Sequence, residues 1–169
     1  MDELEFPPML ADLVRVTGRL VADLELFERF GHPDETAQWF RSWTDNDEAD
    51  GREFRLFAME GGGGFVGLWL VREGRPLTEQ PVVFVGSEGE LAVMAPDLGS
   101  YLWLLAYGVH PFVALGEEPC PTGTSPEVVA VAERHAPRAR RGPEEILELA
   151  REEFPRFREH VDAQDANRR

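Results

Sequence analysis

Apolar positions in this chain recur first at three and four, then at two, then in unbroken runs, and each spacing predicts a different element. From Met9 to about Phe30, Leu10, Leu13, Val14, Thr17, Leu20, Val21, Leu24 and Phe27 repeat at helical intervals. That spacing predicts one long amphipathic helix with Gly18 inside it, at a cost of about 1 kcal/mol relative to alanine. Gly31, His32 and Pro33 break the pattern. Pro33, Asp34 and Glu35 then suit the first turn of a second helix, with Ala37, Phe40 and Trp43 on its buried stripe and Trp39 at its shoulder. Residues 44–51, TDNDEADG, form a polar loop. Beyond it, Glu53–Met59 and Phe65–Arg72 read as strands joined through Gly61–Gly64.

The run from Pro81 to Pro111 is the most strongly patterned. Val82, Val83, Phe84 and Val85 suit a strand covered on both faces. Gly86, Ser87, Glu88 and Gly89 supply a turn, and Leu91 and Val93 alternate on the return strand. Pro96 and Asp97 open a helix in which Leu98, Tyr101, Leu102, Leu105 and Ala106 recur while Trp103 and Leu104 fill the other side. A helix apolar all round belongs in a core. After a Gly/Pro-rich connection over 116–125, Pro126–Ala136 is predicted helical. Gly142, Pro143, Glu144 and Glu145 start a last helix carrying Ile146, Leu147, Ala150 and Phe154, which Pro155 kinks or stops. Residues 1–8 and the tail from about Ala163 to Arg169 read as loose.

Helices before and after four consecutive strands predict an α+β fold. It is a single domain over 1–169 (core about 9–160), with a curved antiparallel or mixed sheet of about four to six strands flanked by N-terminal and C-terminal helices. A chain of 169 residues that is 43% hydrophobic can bury a core of its own. The acidic N-terminus, the lack of a long apolar run and the lone Cys120 point to a cytoplasmic setting away from membranes.

Charge sharpens the picture. The net charge is −15, and every basic residue is arginine. Residues 1–133 hold 8 arginines against 24 acids, whereas 134–169 hold 9 against 8. Such a field repels nucleic acid and favours basic partners through association rate. Candidate chemistry is sparse. Gly61–Gly64 lacks the lysine and the following helix of a phosphate loop. His32, His110, His135 and His160 stand far apart, which disfavours zinc. His32 and His110, each before a proline, suit turns or caps. Cys120 lies between two prolines, away from any helix N-terminus that would lower its pKa. Asp45, Asp47, Glu48 and Asp50 imitate a calcium loop but lack its central glycine and terminal glutamate. Arg138, Arg140 and Arg141 form a short basic patch suited to pairing with acids of the same domain.

The strand pair followed by PVVFVGSEGELAVMAPDLGSYLWLLAYG, with the glycine turn at Gly61–Gly64 and the WLLA-type helix at Tyr101–Gly108, resembles the SUKH superfamily of bacterial immunity proteins, which includes the fungal cell-wall assembly regulator domain. The resemblance covers roughly Phe27 to Phe112. It implies an α+β domain with a curved antiparallel sheet, no enzymatic activity and no cofactor, and a role in neutralising a toxin of the same or a neighbouring cell. Many members carry an acid where Tyr107 stands here, so any role of that carboxylate does not transfer.

Together these features predict a cytoplasmic, non-enzymatic binding protein with no catalytic, cofactor or metal residues. It would engage a basic toxin domain, and neither nucleic acid nor a membrane, through Asp45, Asp47, Glu48 and Asp50, with Glu88 and Glu90 as a second patch and Trp39 as an exposed anchor. The alternatives are a scaffold or regulatory domain without a toxin partner, and a small hydrolase with a dispersed site at His32, His110 or Cys120.

Overall fold

A computed structural model describes residues 3–168. In chain order the elements are α1 (Pro8–Thr17), β1 (Leu20–Val21), β2 (Leu24–Leu26), α2 (Pro33–Thr44), β3 (Phe54–Glu60), β4 (Phe65–Trp69), β5 (Val82–Val85), β6 (Leu91–Ala95), α3 (Leu98–Ala106), α4 (Pro111–Ala114), α5 (Pro126–His135), α6 (Pro143–Glu153) and α7 (Phe157–Asp162). All strand pairs are antiparallel and the spatial order β1-β2-β3-β4-β5-β6 follows the chain, an open meander flanked by helices. The α+β class is therefore as the sequence predicts.

The long first helix is not. It ends at Thr17, because Gly18 takes a left-handed φ of 60° and closes the turn. Leu20 to Leu26 instead form a small hairpin, the first two strands of the sheet. Its central pair, Ala22 and Asp23, has φ of 47° and 58°, the backbone of a type I′ turn. Spacing alone could not separate the two outcomes, since Leu24 and Leu26 point inward and Glu25 outward over a span too short to reveal its period. Strand β4 also stops at Trp69 rather than at Arg72.

The sheet is the middle of three layers. On one face Val66, Leu68, Val82 and Phe84 meet α1, α3 and α5; on the other Phe54, Leu56, Trp69, Val83, Val85 and Val93 meet Phe40 of α2 and Phe157 and Val161 of α7. Ile146 of α6 joins the first core and Ala150 the second, so α6 crosses the β6 edge. Two bulges enrich the first core. Register slips between Leu56 and Ala58, and again opposite Val82 and Val83, leaving Phe57 and Met94 unpaired. Both are fully buried in the same cluster. The extra residue of each bulge thus adds one apolar side chain where α3 lies.

Every residue of α3 is buried, and Asp97 caps it by accepting from the Ser100 N–H at 2.7 Å. Its termination is equally local, since the Tyr107 N–H bonds back to the last carbonyls.

Both ends of the chain, predicted loose, make defined bonds. The Phe30 N–H donates to the Leu4 carbonyl at 2.9 Å, and the Phe6 and Phe30 rings meet edge to face at 4.9 Å. At the other end Asp165 is buried and the Ala166 N–H donates to the Thr44 carbonyl at 2.9 Å. Met1, Asp2 and Arg169 lie outside the described residues.

One polar atom in the first core stands apart. The Tyr101 hydroxyl is fully buried beside Phe57, with ring centroids 5.8 Å apart, and no group among the described residues accepts from or donates to it. Burial accordingly drives its pKa upward. Tyr101→Phe should remove an unmet hydrogen-bonding group at almost constant volume and leave stability unchanged or raised by about 1 kcal/mol. Urea unfolding checks this, and a loss above that size would reveal a hydrogen bond to the hydroxyl.

Candidate functional site

The α2–β3 loop grows from the end of α2, where Asp45 adopts φ 47° and its N–H returns to the Arg41 carbonyl. The next side chains build the loop from within. Asn46 accepts from the Glu48 N–H at 3.1 Å and donates to the Gln164 carbonyl at 2.8 Å. Asp50 accepts from the Arg52 N–H at 3.0 Å. Asp45, Asp47, Glu48 and Asp50 are all exposed. Among the described residues no group of three or more histidine, cysteine or acidic side chains could hold a metal ion, so the calcium-like order of this loop does not fold into a cage.

The second acidic patch is brought beside the first. Glu90 folds back over the β5–β6 turn and accepts from the Glu88 N–H at 3.0 Å. The Trp43 indole donates to the Gly86 carbonyl at 2.8 Å and ties that turn to α2. The C-terminal segment fills the space between. Arg168 pairs with Asp162 at 2.8 Å and Asp165 at 3.6 Å, and its guanidinium lies so near Gly89 that a Cβ there would come within 2.7 Å. Asn167 reaches Asp45 at 3.4 Å. Two sequence-distant acidic turns thus share one end of the molecule.

Trp39 belongs to the flank of that end. It is half-buried, and its ring meets Phe65 edge to face at 4.9 Å; Phe65 meets Phe27 at 6.2 Å. Phe40 stacks on Trp43 at 6.2 Å. Phe27, Phe65, Trp39 and Trp43 all pack on the second core while keeping part of their surface in solvent. Alternation on β4 and the stripe of α2 place them side by side.

The remaining candidates are held in internal roles. His32 and His110 cap α2 and α4, each accepting through Nδ1 from the N–H two residues on, at 3.2 and 3.4 Å. In the Gly61–Gly64 turn, where a phosphate loop would present free N–H groups, the Glu60 carboxylate accepts from Gly62 at 2.8 Å and Gly64 at 2.9 Å. Burial, followed by the charge of Glu144, pushes the Cys120 thiol up, which disfavours the thiolate. In the basic patch Arg140 pairs with Glu133 at 3.4 Å and lies over the Trp103 ring, while Arg141 pairs with Glu145 at 3.3 Å.

One cluster that sequence reasoning missed lies at the start of β3. The Glu53 carboxylate receives His160 at 2.6 Å, the Gln164 amide at 2.7 Å and the Trp69 indole at 3.1 Å, beside an open groove of about 560 Å³. Its lining of Glu53, Trp69, Leu70, Val71, Arg156, Glu159, His160 and Ala163 supplies no hydroxyl or thiol for His160 to activate. The cluster binds α7 to the start of β3. A separation of 107 residues between Glu53 and His160 leaves no local signal.

Nothing among protein-family models, curated proteins or solved structures matches this chain.

A comparable clamp joins α1 to α5. Asp12 receives His135 at 2.7 Å, Arg15 at 3.0 Å and Arg134 at 3.2 Å. The His135 bond, then Arg15, holds its carboxyl well below the usual value of 3.8. A depressed folded-state pKa stabilises the fold above the unfolded value, and that contribution fades as pH falls below it. Asp12→Asn should therefore be less stable than the parent at neutral pH. The gap should persist down to about pH 4 and close in more acidic solution. Denaturant midpoints across pH check this, and a gap that widens on acidification would contradict the pairing.

Proposed function

We propose that this chain is a non-enzymatic protein-binding domain of the immunity type, acting in the cytoplasm by covering a basic toxin domain. The observation that carries the proposal is the meeting of the two acidic turns at one end of the molecule, beside the half-buried row Phe27, Phe65, Trp39 and Trp43. Carboxylates held by turn geometry steer a basic partner during approach, and aromatic surface that is already rigid provides the short-range contact. The net charge of −15 supplies the long-range field. The resemblance of the Pro81–Gly108 segment to SUKH immunity proteins points the same way.

The hydrolase alternative is weakened by the placement of its candidates. His32 and His110 serve as caps, and Cys120 sits where the thiol form is favoured. A scaffold role would use the same surface with a partner that is not a toxin.

The test uses as partner the protein that co-purifies with this chain from its native host, and measures association and dissociation rates. Replacing Asp45, Asp47, Glu48 and Asp50 together by their amides should slow association about tenfold and flatten its dependence on salt. Trp39→Ala should act mainly on dissociation, raising it about tenfold or more. An association rate indifferent to both ionic strength and the amide variant would overturn the steering role of this loop.

A further inference from the structure

Strand β6 closes the sheet on one side; the side chains of Leu91 and Val93 are buried against Ala150 of α6 and Phe157 and Val161 of α7, and a groove beside the start of the strand reaches its edge. The Gly86 N–H donates to the Glu90 carbonyl at 2.7 Å, which fixes the alternation of the ladder. With Val85 opposite Leu91, Phe84 opposite Ala92 and Val83 opposite Val93, the bonded pair after Gly86 and Glu90 is Phe84 with Ala92. Leu91 and Val93 therefore turn their N–H and C=O groups away from β5, toward the outside of the sheet.

What lies outside is a groove of about 480 Å³ whose floor is Leu91, Ala92 and Val93. Ala114 and Leu115 of the α4 end form one wall; Phe154, Pro155 and Phe157 of the α6–α7 elbow form the other. Proline at the elbow ends α6 and opens the gap, since α6 covers the edge only as far as its own helix runs. The charged groups lining this groove are Arg151 and Arg158, in a chain whose net charge is −15.

We propose that this slot docks an extended, acidic segment of a partner protein, which adds to β6 as a short seventh strand. Main-chain groups at Leu91 and Val93 would pair with the incoming backbone, and alternate apolar side chains would settle between the walls. Carboxylates on the segment would meet Arg151 and Arg158. The chemistry selects against a second copy. Two chains of this acidity repel, and an edge recessed between helices cannot reach another recessed in the same way. This surface starts at Leu91, next to Glu90 of the acidic end, but its own charged lining, Arg151 and Arg158, prefers the opposite charge.

The full-length chain labelled with nitrogen-15 and titrated with a capped Glu-Val-Glu-Val-Glu-Val peptide tests the proposal. The Leu91 and Val93 amide resonances should shift in saturable fashion. A Lys-Val peptide of the same length should leave them unmoved. Affinity should fall about tenfold in the Arg151→Glu/Arg158→Glu variant, whose changes are both on exposed side chains. N-methylating the peptide on alternate residues should abolish binding in one register and spare the other, because only one set of donors faces β6. No shift at Leu91 and Val93 with the Glu-Val peptide would overturn the proposal. So would shifts that survive N-methylation in both registers, or shifts produced by raising protein concentration alone, the signature of a second copy.

Discussion

Burial of α3 between the sheet and α5 is the constraint around which the molecule is arranged. All nine of its residues, Leu98 to Ala106, are out of solvent. At roughly 1.5–3 kcal/mol for each large apolar side chain removed from water, this segment is a dominant source of cohesion. A helix without a polar side must be roofed as well as floored, and α5, α6 and the turns at 77–79 and 137–139 do so. The bulges at Phe57 and Met94 follow the same logic, each placing one more buried side chain on the α3 face of the sheet. Gly99 permits the tight roof: a Cβ there would meet Ala136 at 2.9 Å.

Around that core, the Tyr101 hydroxyl apart, several polar groups that are buried or nearly so are answered from inside the chain. Gln80, 2% exposed, accepts from the Arg72 N–H and donates to the Arg72 and Arg75 carbonyls. Glu60 closes its own glycine turn, Glu53 gathers three donors and Asp12 gathers three more. Satisfied networks of this kind fix geometry without leaving a group aimed at a substrate. Free charge is left to the exposed turns, where the proposed contact with a basic partner would draw on it.

Much of this was legible in the residues. The continuous run Val82–Val85, the Gly86–Gly89 turn and the all-round apolar α3 each carry a signal in their own neighbourhood, and the prolines after the His32 and His110 caps mark helix starts. The α1–β2 region shows where such signals fail: Leu20, Val21 and Leu24 fit a helical stripe and a short strand pair equally, and Ala22-Asp23 is a turn whose positive φ no glycine advertises. Each acidic patch could be named from the chain, but not their adjacency, because Trp43 to Gly86 and Asn167 to Asp45 are contacts across 43 and 122 positions. The Glu53–His160 pair and the groove beside β6 are hidden for the same reason, since each exists only once distant elements meet.

Hydrogen–deuterium exchange of the chain with and without the proposed basic partner measures the central claim most directly. Contact through the acidic end predicts slowed exchange in the last turn of α2, residues 44–51 and the β5–β6 turn, with the Glu53–His160 groove unaffected. Protection confined to that groove, together with chemical change in the molecule bound there, would contradict the account.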